Sequence, residues 1–267
     1  MGPRPTISSF LESRRLLTYL LIAIVAWSAL SVDWGGKLVH PGGGESARQI
    51  FTAAFTPELS SDFLALALSS SWTTVTFAVA GLTLAIAVGL PLGVLGSGVL
   101  LRHGNSRLYT IAGVRFVLGF LRSIHELVWA WLFVVAIGLS PIAGIFALAI
   151  PYAGILGRIY SEILVDVPEE PLNALRTSGA SEFKVFLYGR LPMAMPDMLS
   201  YTFYRLECGI RSAAILSFVG ITGLGYQIQL SLNDLLYNEV WTLLFFLVGL
   251  VAMVDLWSSL VRKSVNP

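Results

Sequence analysis

The feature that most constrains this chain is the run of residues 63–101, which contains no charged side chain. A helix that crosses the hydrocarbon core of a bilayer needs roughly 20 apolar residues, and this run is about twice as long. We therefore expect it to hold an approach segment followed by one membrane span. Further uncharged runs occupy residues 16–32, 127–157, 212–233 and 240–254, and the last extends across Asp255 to residue 261. The sequence predicts an all-α, polytopic membrane protein.

Composition supports this fold class. The chain has 267 residues, of which 55% are hydrophobic and 12% charged, whereas a soluble domain carries about 25% charged residues. The formal net charge of +1 disfavours nucleic acid as a partner. Cys208 is the only cysteine, so an internal disulfide is excluded.

Six transmembrane helices fit the runs. Gly138 and Pro141 divide residues 127–157 between the end of a third span and the start of a fourth. The fifth span is expected to begin near Met195, and the sixth to cover residues 239–261. Residues 16–32 are predicted to be an uncleaved first span. A secretory or twin-arginine signal peptide is the alternative, but the run is long for the apolar core of a signal.

The distribution of charge gives an orientation. With six spans and a cytoplasmic N-terminus, 13 of the 17 Lys and Arg residues fall on the cytoplasmic side, as the positive-inside rule requires. Both termini are then cytoplasmic. The predicted organisation is an N-terminal segment with the first span and an extracytoplasmic loop (1–64), a core domain (65–260) with a polar loop at about 165–192, and a short cytoplasmic tail (261–267).

The polar loop predicts a helix–turn–helix between two spans. Pro168 and Pro171 suit the first turn of a helix, and Leu172 and Leu175 share one of its faces. Gly179 is expected to end that helix. Ser181 is expected to cap a second, short helix, which carries Phe183, Phe186 and Leu187 on one face. Such a compact polar element offers a surface that another protein can grip.

This loop also resembles a known signature. Asn173-Ala174-Leu175, then Gly179, then Leu191-Pro192 is similar to the "EAA" cytoplasmic loop of ABC-importer permeases. Asn173 replaces the usual Glu, and Gly189 stands where Ile is usual. The fuller runs at 174–181 and 188–192 resemble the phosphonate-type permeases, which belong to the type I importer fold. The resemblance implies that the following residues couple to an ATPase: Pro168, Leu172, Asn173, Ala174, Leu175, Ser178, Gly179, Ala180 and Ser181.

Two other stretches resemble the same subfamily. The close of the second span, residues 89–96, carries a similar Pro-Leu-Gly, and residues 121–130 form a similar run with His125 where Pro is common. His125 is assigned no catalytic role. Gly81, Ala85 and Gly89, spaced by four, predict tight helix packing.

The fifth span carries charge. Tyr204, Arg205, Glu207 and Arg211 lie in a segment that should cross lipid, where charged groups usually face a cavity or pair with each other. A mutual Glu207–Arg211 salt bridge and direct contact with cargo are both open, and they are compatible. Arg205 would remain to suit an anionic cargo.

A glycine-rich segment follows that span. Gly220, Gly223 and Gly225 resemble the subfamily's Gly-rich close, and glycine permits close backbone approach and bends. A flexible extracytoplasmic gate and a simple helix terminator are equally open.

The resemblance implies the membrane permease subunit of an ATP-driven importer for phosphonate or a related phosphorus oxyanion, phosphite or phosphate, in the bacterial inner membrane. Its partners would be a cytoplasmic ATP-binding subunit dimer, a second permease subunit, an extracytoplasmic substrate-binding protein and the lipid bilayer. Asn173 suggests that the second permease is a different chain, with this one the weaker-coupled half.

No catalytic residue is expected in this chain. The Gly-Gly-Lys at residues 35–37 is not a P-loop, because Leu38 stands where Ser or Thr must bind magnesium. ATP and Mg²⁺ would therefore sit on the partner ATPase, with no cofactor in this chain. The three histidines are scattered and form no metal-ligand cluster, which disfavours a membrane enzyme. The main alternative is an ion-coupled secondary transporter or channel that uses Arg205, Glu207 and Arg211 as its own ion path.

Overall fold

The computed structural model describes residues 7–32, 34, 43–101 and 104–265. This part of the chain is helical and contains no strand. The Gly-Gly-Lys at 35–37 lies outside the described residues. The helices are α1 (Ile7–Ser31), α2 (Gly43–Ala53), α3 (Ser61–Ser97), α4 (Asn105–Ser123), α5 (Glu126–Ile137), α6 (Pro141–Asp166), α7 (Glu169–Thr177), α8 (Glu182–Val185), α9 (Leu191–Leu216), α10 (Leu224–Asn233) and α11 (Tyr237–Val265).

Contacts divide the chain into two compact units, residues 1–51 and 52–267. In the first unit, the described side chains of α1 are all exposed within the chain, although most of them are apolar. That exposure is the surface expected of a helix surrounded by lipid. In α2, Arg48 forms an ion pair with Glu45 at 2.8 Å.

Helices α3 and α6 form the largest interface of the second unit. Small residues bring their backbones together, as predicted for Gly81, Ala85 and Gly89. A Cβ added at Gly89 would lie 3.0 Å from the carbonyl oxygen of Ala153, and one at Gly93 would lie 2.9 Å from that of Gly157. No side chain larger than hydrogen fits at these positions without moving a helix.

The arginine-bearing segment before residue 123 forms α4, which packs along α6. A Cβ at Gly154 would lie 2.8 Å from the carbonyl oxygen of Leu118. The chain then bends by 84° between α4 and α5. His125 is the N-cap of α5, and its Nδ1 accepts a hydrogen bond from the Leu127 N–H at 3.3 Å. This is a structural role, consistent with the assignment of no catalytic role to His125.

Helix α9 is continuous with α8 through a π-helical turn, Phe186–Arg190, so the fifth helical segment begins before the expected Met195. The fourth begins at Pro141, as predicted. Four described helices are long and apolar enough to cross a membrane, and the number rises to six when each of two bent pairs counts as one span. The all-α, polytopic fold class is confirmed.

Candidate functional site

The knob, defined here as residues 168–190, leaves the bundle between α6 and α9. Helix α7 ends in a Schellman motif: the Ala180 N–H donates to the Leu175 carbonyl at 3.2 Å, and the Gly179 N–H donates to the Arg176 carbonyl at 3.0 Å. Gly179 has φ +86°, which explains why glycine is needed there. The predicted end of the first helix is therefore confirmed.

The apolar face of α7 fixes the knob to the bundle. Leu172 is fully buried, and it belongs to the same cluster as Leu156, Tyr160 and Leu164 of α6. Leu175 packs against that cluster from its edge. The shared face predicted for Leu172 and Leu175 is the face that the structure buries.

The second short helix differs from its prediction in two respects. Ser181 is the N-cap residue of α8, but its side chain makes no capping hydrogen bond. Phe186 is buried, whereas Phe183 and Leu187 are exposed, so these three residues do not form one buried face. The core cluster that holds Leu164 and Leu172 meets this segment at Val185 and Phe186, so the buried face lies between the exposed Phe183 and Leu187.

Arg176 organises the knob's polar side. Its guanidinium donates to Glu169 at 2.8 Å, to Asn173 at 2.8 Å and to Glu182 at 2.9 Å. Asn173, which replaces the signature's Glu, is therefore an internal acceptor in this network. Arg176 joins α7 to α8 and fixes the shape of the knob.

Arg190 joins the knob to the bundle. Its side chain is 6% exposed, it donates to the Leu164 carbonyl of α6 at 2.7 Å, and it forms an ion pair with Glu169. Gly189 beside it explains the departure from the usual Ile. A Cβ there would lie 2.8 Å from the Cδ atoms of both Leu172 and Leu175.

Hydrogen bonds within the knob shift the pKa values of Glu169 and Arg176. Hydrogen bonds from Arg176 and then Arg190 hold the pKa of Glu169 below its ordinary value. Hydrogen bonds to Glu182 and Glu169 raise the pKa of Arg176 above its ordinary value. Both shifts favour the charged forms of Glu169 and Arg176.

A cavity of about 730 Å³ opens beside the knob. Its wall is formed by residues 97–101, which include the last residue of α3 and the segment after it, together with residues of α4, α6 and the knob. The charged lining residues are Arg107, Glu169, Arg176, Glu182 and Arg190.

The charged residues of the fifth span differ in their partners. Arg211 pairs with Glu207 at 2.6 Å, which realises the salt bridge that the sequence left open. These two residues and Asp255 of α11 line a second cavity of about 430 Å³. The pair therefore faces a space between α9 and α11.

Arg205 lies among tyrosines. Its guanidinium carbon is 5.6 Å from the ring centres of Tyr152 and Tyr201 and 5.9 Å from that of Tyr204, and Nε donates to the Tyr201 hydroxyl at 3.3 Å. Within the described residues, Arg205 has no carboxylate at ion-pair distance. Aromatic faces stabilise the cation without neutralising it.

The side chains that hold these tyrosines around Arg205 were not predicted from the sequence. Tyr152 donates to Ser212 at 3.2 Å, and Ser212 donates to Glu126 at 2.6 Å, which links α6, α9 and α5. The only sequence signal was a carboxylate, Glu126, at the edge of an uncharged run.

The predicted gate glycines lie in a tight reversal before α10. Gly220 and Gly223 have φ of +98° and +152°. A Cβ at Gly225 would lie 1.9 Å from the Ala214 carbonyl oxygen. The Leu224 N–H donates to Thr74 at 3.0 Å, so this end of α10 is fixed against α3. Gly225 makes a close backbone approach, whereas Gly220 and Gly223 lie against side chains, and the gating role of all three stays a prediction.

Together, a polytopic helical bundle, a rigid polar knob and a charged inner helix define a membrane transport component. A family model described as "binding-protein-dependent transport system inner membrane component" matches residues 89–267. The chain belongs to this family, which comprises transport components and not catalytic enzymes.

Curated relatives agree with the sequence resemblance. Over 149 residues the chain is 33% identical to the phosphite transport system permease protein PtxC of Stutzerimonas stutzeri, covering 56% of this chain and 54% of the relative. It is 28% identical over 190 residues to the phosphate-import permease protein PhnE of Mycolicibacterium smegmatis, covering 71% of this chain and 35% of the relative. The chain thus spans about half or less of these relatives' own length. The resemblance to phosphonate-type permeases is confirmed.

Solved structures share the fold. An inward-facing structure of the MetNI methionine ABC transporter superposes with a TM-score of 0.67 at 24% identity, covering 78% of this chain and 100% of that chain. An amino acid ABC transporter gives a TM-score of 0.63 at 17% identity, covering 77% of this chain and 100% of that chain. These likenesses establish the type I importer permease architecture.

Proposed function

We propose that this chain is the permease subunit of an ATP-driven importer for a phosphorus oxyanion: phosphonate, phosphite or phosphate. It forms part of the translocation pathway in a bacterial inner membrane, with both termini in the cytoplasm. Its relatives are named as a phosphite transport system permease and a phosphate-import permease, which supports the substrate class. The family description supports an extracytoplasmic binding protein that delivers the cargo.

The knob is the observation that carries this proposal. Its buried Leu172 fixes it to α6, its Schellman turn sets its shape, and Ser178 and Gly179 stand exposed at its end. A rigid exposed element of this kind suits a cytoplasmic ATPase that must push on the bundle. ATP and Mg²⁺ belong to a dimer of that ATPase, and this chain contributes no cofactor.

The cation at Arg205 supports an anionic cargo. It is held by tyrosines, and in the described chain no carboxylate neutralises it, so its charge attracts an anion that enters the bundle. A second permease subunit, identical or different, completes the pathway. The extracytoplasmic gate of this pathway is formed by Gly220, Gly223 and Gly225 of this chain.

Gly179→Leu tests the coupling role. A leucine at φ +86° is strained by about 1–2 kcal/mol, and this strain changes the turn that the ATPase grips. We expect normal insertion into the membrane with loss of ATP-driven uptake. Gly113→Leu is the matched control, because its Cβ meets no atom within 4 Å and its φ is outside the strained range.

Normal uptake by Gly179→Leu would contradict the proposal. So would uptake that follows an ion gradient in vesicles without an ATPase, which is the behaviour of a secondary transporter or channel.

A further inference from the structure

We infer that Arg190 is the joint that transmits movement of the knob to the membrane helices, a positioning residue for coupling. The inference rests on the proposed function. Arg190 donates to the Leu164 carbonyl of α6, forms an ion pair with Glu169 at the start of α7, and immediately precedes α9. One side chain therefore ties together three elements that meet where the knob leaves the bundle.

The partners of Arg190 differ in kind from those of Arg176. Arg176 bonds to Glu169, Asn173 and Glu182, all within the knob. Arg190 bonds across the junction, from the knob to a backbone atom of α6. Arg176 therefore preserves the knob's shape, whereas Arg190 controls its position relative to α6.

The burial of Arg190 makes this joint stiff. Its side chain is 6% exposed, so water cannot easily replace the Leu164 carbonyl when the guanidinium moves away, whereas Glu169 is half-exposed and within reach of water. Displacing the knob from α6 would leave the Leu164 carbonyl and a buried charge unsatisfied. When the ATPase moves the knob, a joint movement of α6 and α9 with the knob therefore costs less free energy than a separation of the knob from α6.

Local sequence is arranged to place this guanidinium. The π-helical turn Phe186–Arg190 closes with the Leu191 N–H donating to the Phe186 carbonyl, and such turns occur frequently at functional sites. Gly189 lets α7 lie close against the turn. The planar guanidinium can reach two partners at once, which a lysine ammonium on a single flexible stem does less well.

The decisive experiment uses the whole complex, with the ATPase and binding protein, in proteoliposomes. Uptake per ATP hydrolysed is measured for wild type, R190M, R190K and E169Q. Arg107→Lys is the control, because Arg107 lines the same cavity but, among the residues that the structure describes, its side chain bonds only to the Gly98 carbonyl. We expect R190M to assemble and hydrolyse ATP while its uptake per ATP falls about tenfold, within the usual range of coupling between sites. R190K and E169Q should fall less, and Arg107→Lys should match wild type.

A distance measurement reports the joint itself. Spin labels replace Asp166 at the end of α6 and the exposed Lys184 of α8 in the knob, which is not one of the predicted ATPase-coupling residues, in a Cys208→Ser background because Cys208 is the only cysteine. In wild type, one narrow distance should persist with and without ATP. In R190M and R190K the distance distribution should broaden when ATP binds.

Wild-type uptake per ATP in R190M, with an unchanged distance distribution, would overturn the inference. If R190M fails to assemble, full coupling and an unchanged distance in R190K and E169Q would overturn it too. The proposed function fails separately: in that case the wild-type complex itself would show no ATP-driven uptake.

Discussion

In the knob, Arg176 and Arg190 pair with carboxylates, whereas in the fifth span Arg205 has three tyrosine rings and no carboxylate partner within the described chain. Paired charges of this kind act mainly by fixing geometry, because they hold side chains in place without leaving net charge. A caged, unneutralised cation inside a membrane bundle retains its field. The comparison indicates that the knob transmits force and the fifth span attracts an anion.

Gly189→Ile should break the knob and have the largest effect. The new side chain would collide with Leu172 and Leu175, and overpacking of this kind costs about 1–3 kcal/mol. We expect loss of ATPase co-purification, with the chain still inserted in the membrane. Gly189→Ala is the control, since its Cβ meets only the ends of flexible leucine side chains. Retained co-purification by Gly189→Ile would show that α7 does not need this close contact.

Arg205→Ala removes the unneutralised charge and leaves the knob intact. We expect ATPase assembly to persist and uptake to fall about tenfold or more, equivalent to about 1.4 kcal/mol of lost attraction for the anion. Arg205→Lys keeps the charge but loses the planar guanidinium that lies against the tyrosine rings. Uptake by Arg205→Lys should therefore lie between that of the wild type and that of Arg205→Ala. Wild-type uptake by Arg205→Ala would remove Arg205 from the pathway.

The Glu207–Arg211 ion pair lies in the same span as Arg205, so it allows a paired and an unneutralised arginine to be compared within one helix. A double-mutant cycle with E207Q and R211Q, followed by thermal unfolding in detergent, should give a coupling energy of about 0.5–1 kcal/mol. The double variant should be more stable than the sum of the single losses predicts. Additive losses would mean that the two groups act independently.

Acidification should have the smallest effect. The folded-state pKa of Glu169 lies below its ordinary value of 4.5, so its contribution to stability is fully present above that value. It is lost only as pH falls through the lower, folded-state pKa. We expect hydrogen exchange of α7 amides, corrected for intrinsic rates, to stay constant from pH 7 to about 5. E169Q should abolish the loss of protection at lower pH; an unchanged profile in E169Q would contradict this assignment.

Local chemistry explains what the sequence could predict. Uncharged runs fixed the spans, Pro141 marked the start of α6, and Gly179 marked the end of α7 because few other residues adopt φ +86°. Each of these features is determined by residues that are close to one another in the sequence. The sequence therefore predicted the bundle and the knob, and it offered the Glu207–Arg211 pair, only four residues apart, as one of two open alternatives.

Contacts between distant residues escaped prediction. The Arg190–Leu164 bond spans 26 residues and the Ser212–Glu126 bond spans 86. Neither spacing has a helical period, so no sequence pattern marks them. The π-helical turn also escaped prediction, and so did the burial of Val185 and Phe186 in place of a face shared by Phe183, Phe186 and Leu187.

ATP hydrolysis by the reconstituted complex is the most direct test of the central proposal. This chain is combined with its ATPase and binding protein, and phosphonate, phosphite and phosphate are offered separately. We predict that at least one of these anions stimulates hydrolysis, and that Gly179→Leu abolishes the coupled uptake. Hydrolysis that responds to none of them, with every subunit present, would contradict the assignment of a phosphorus oxyanion as cargo.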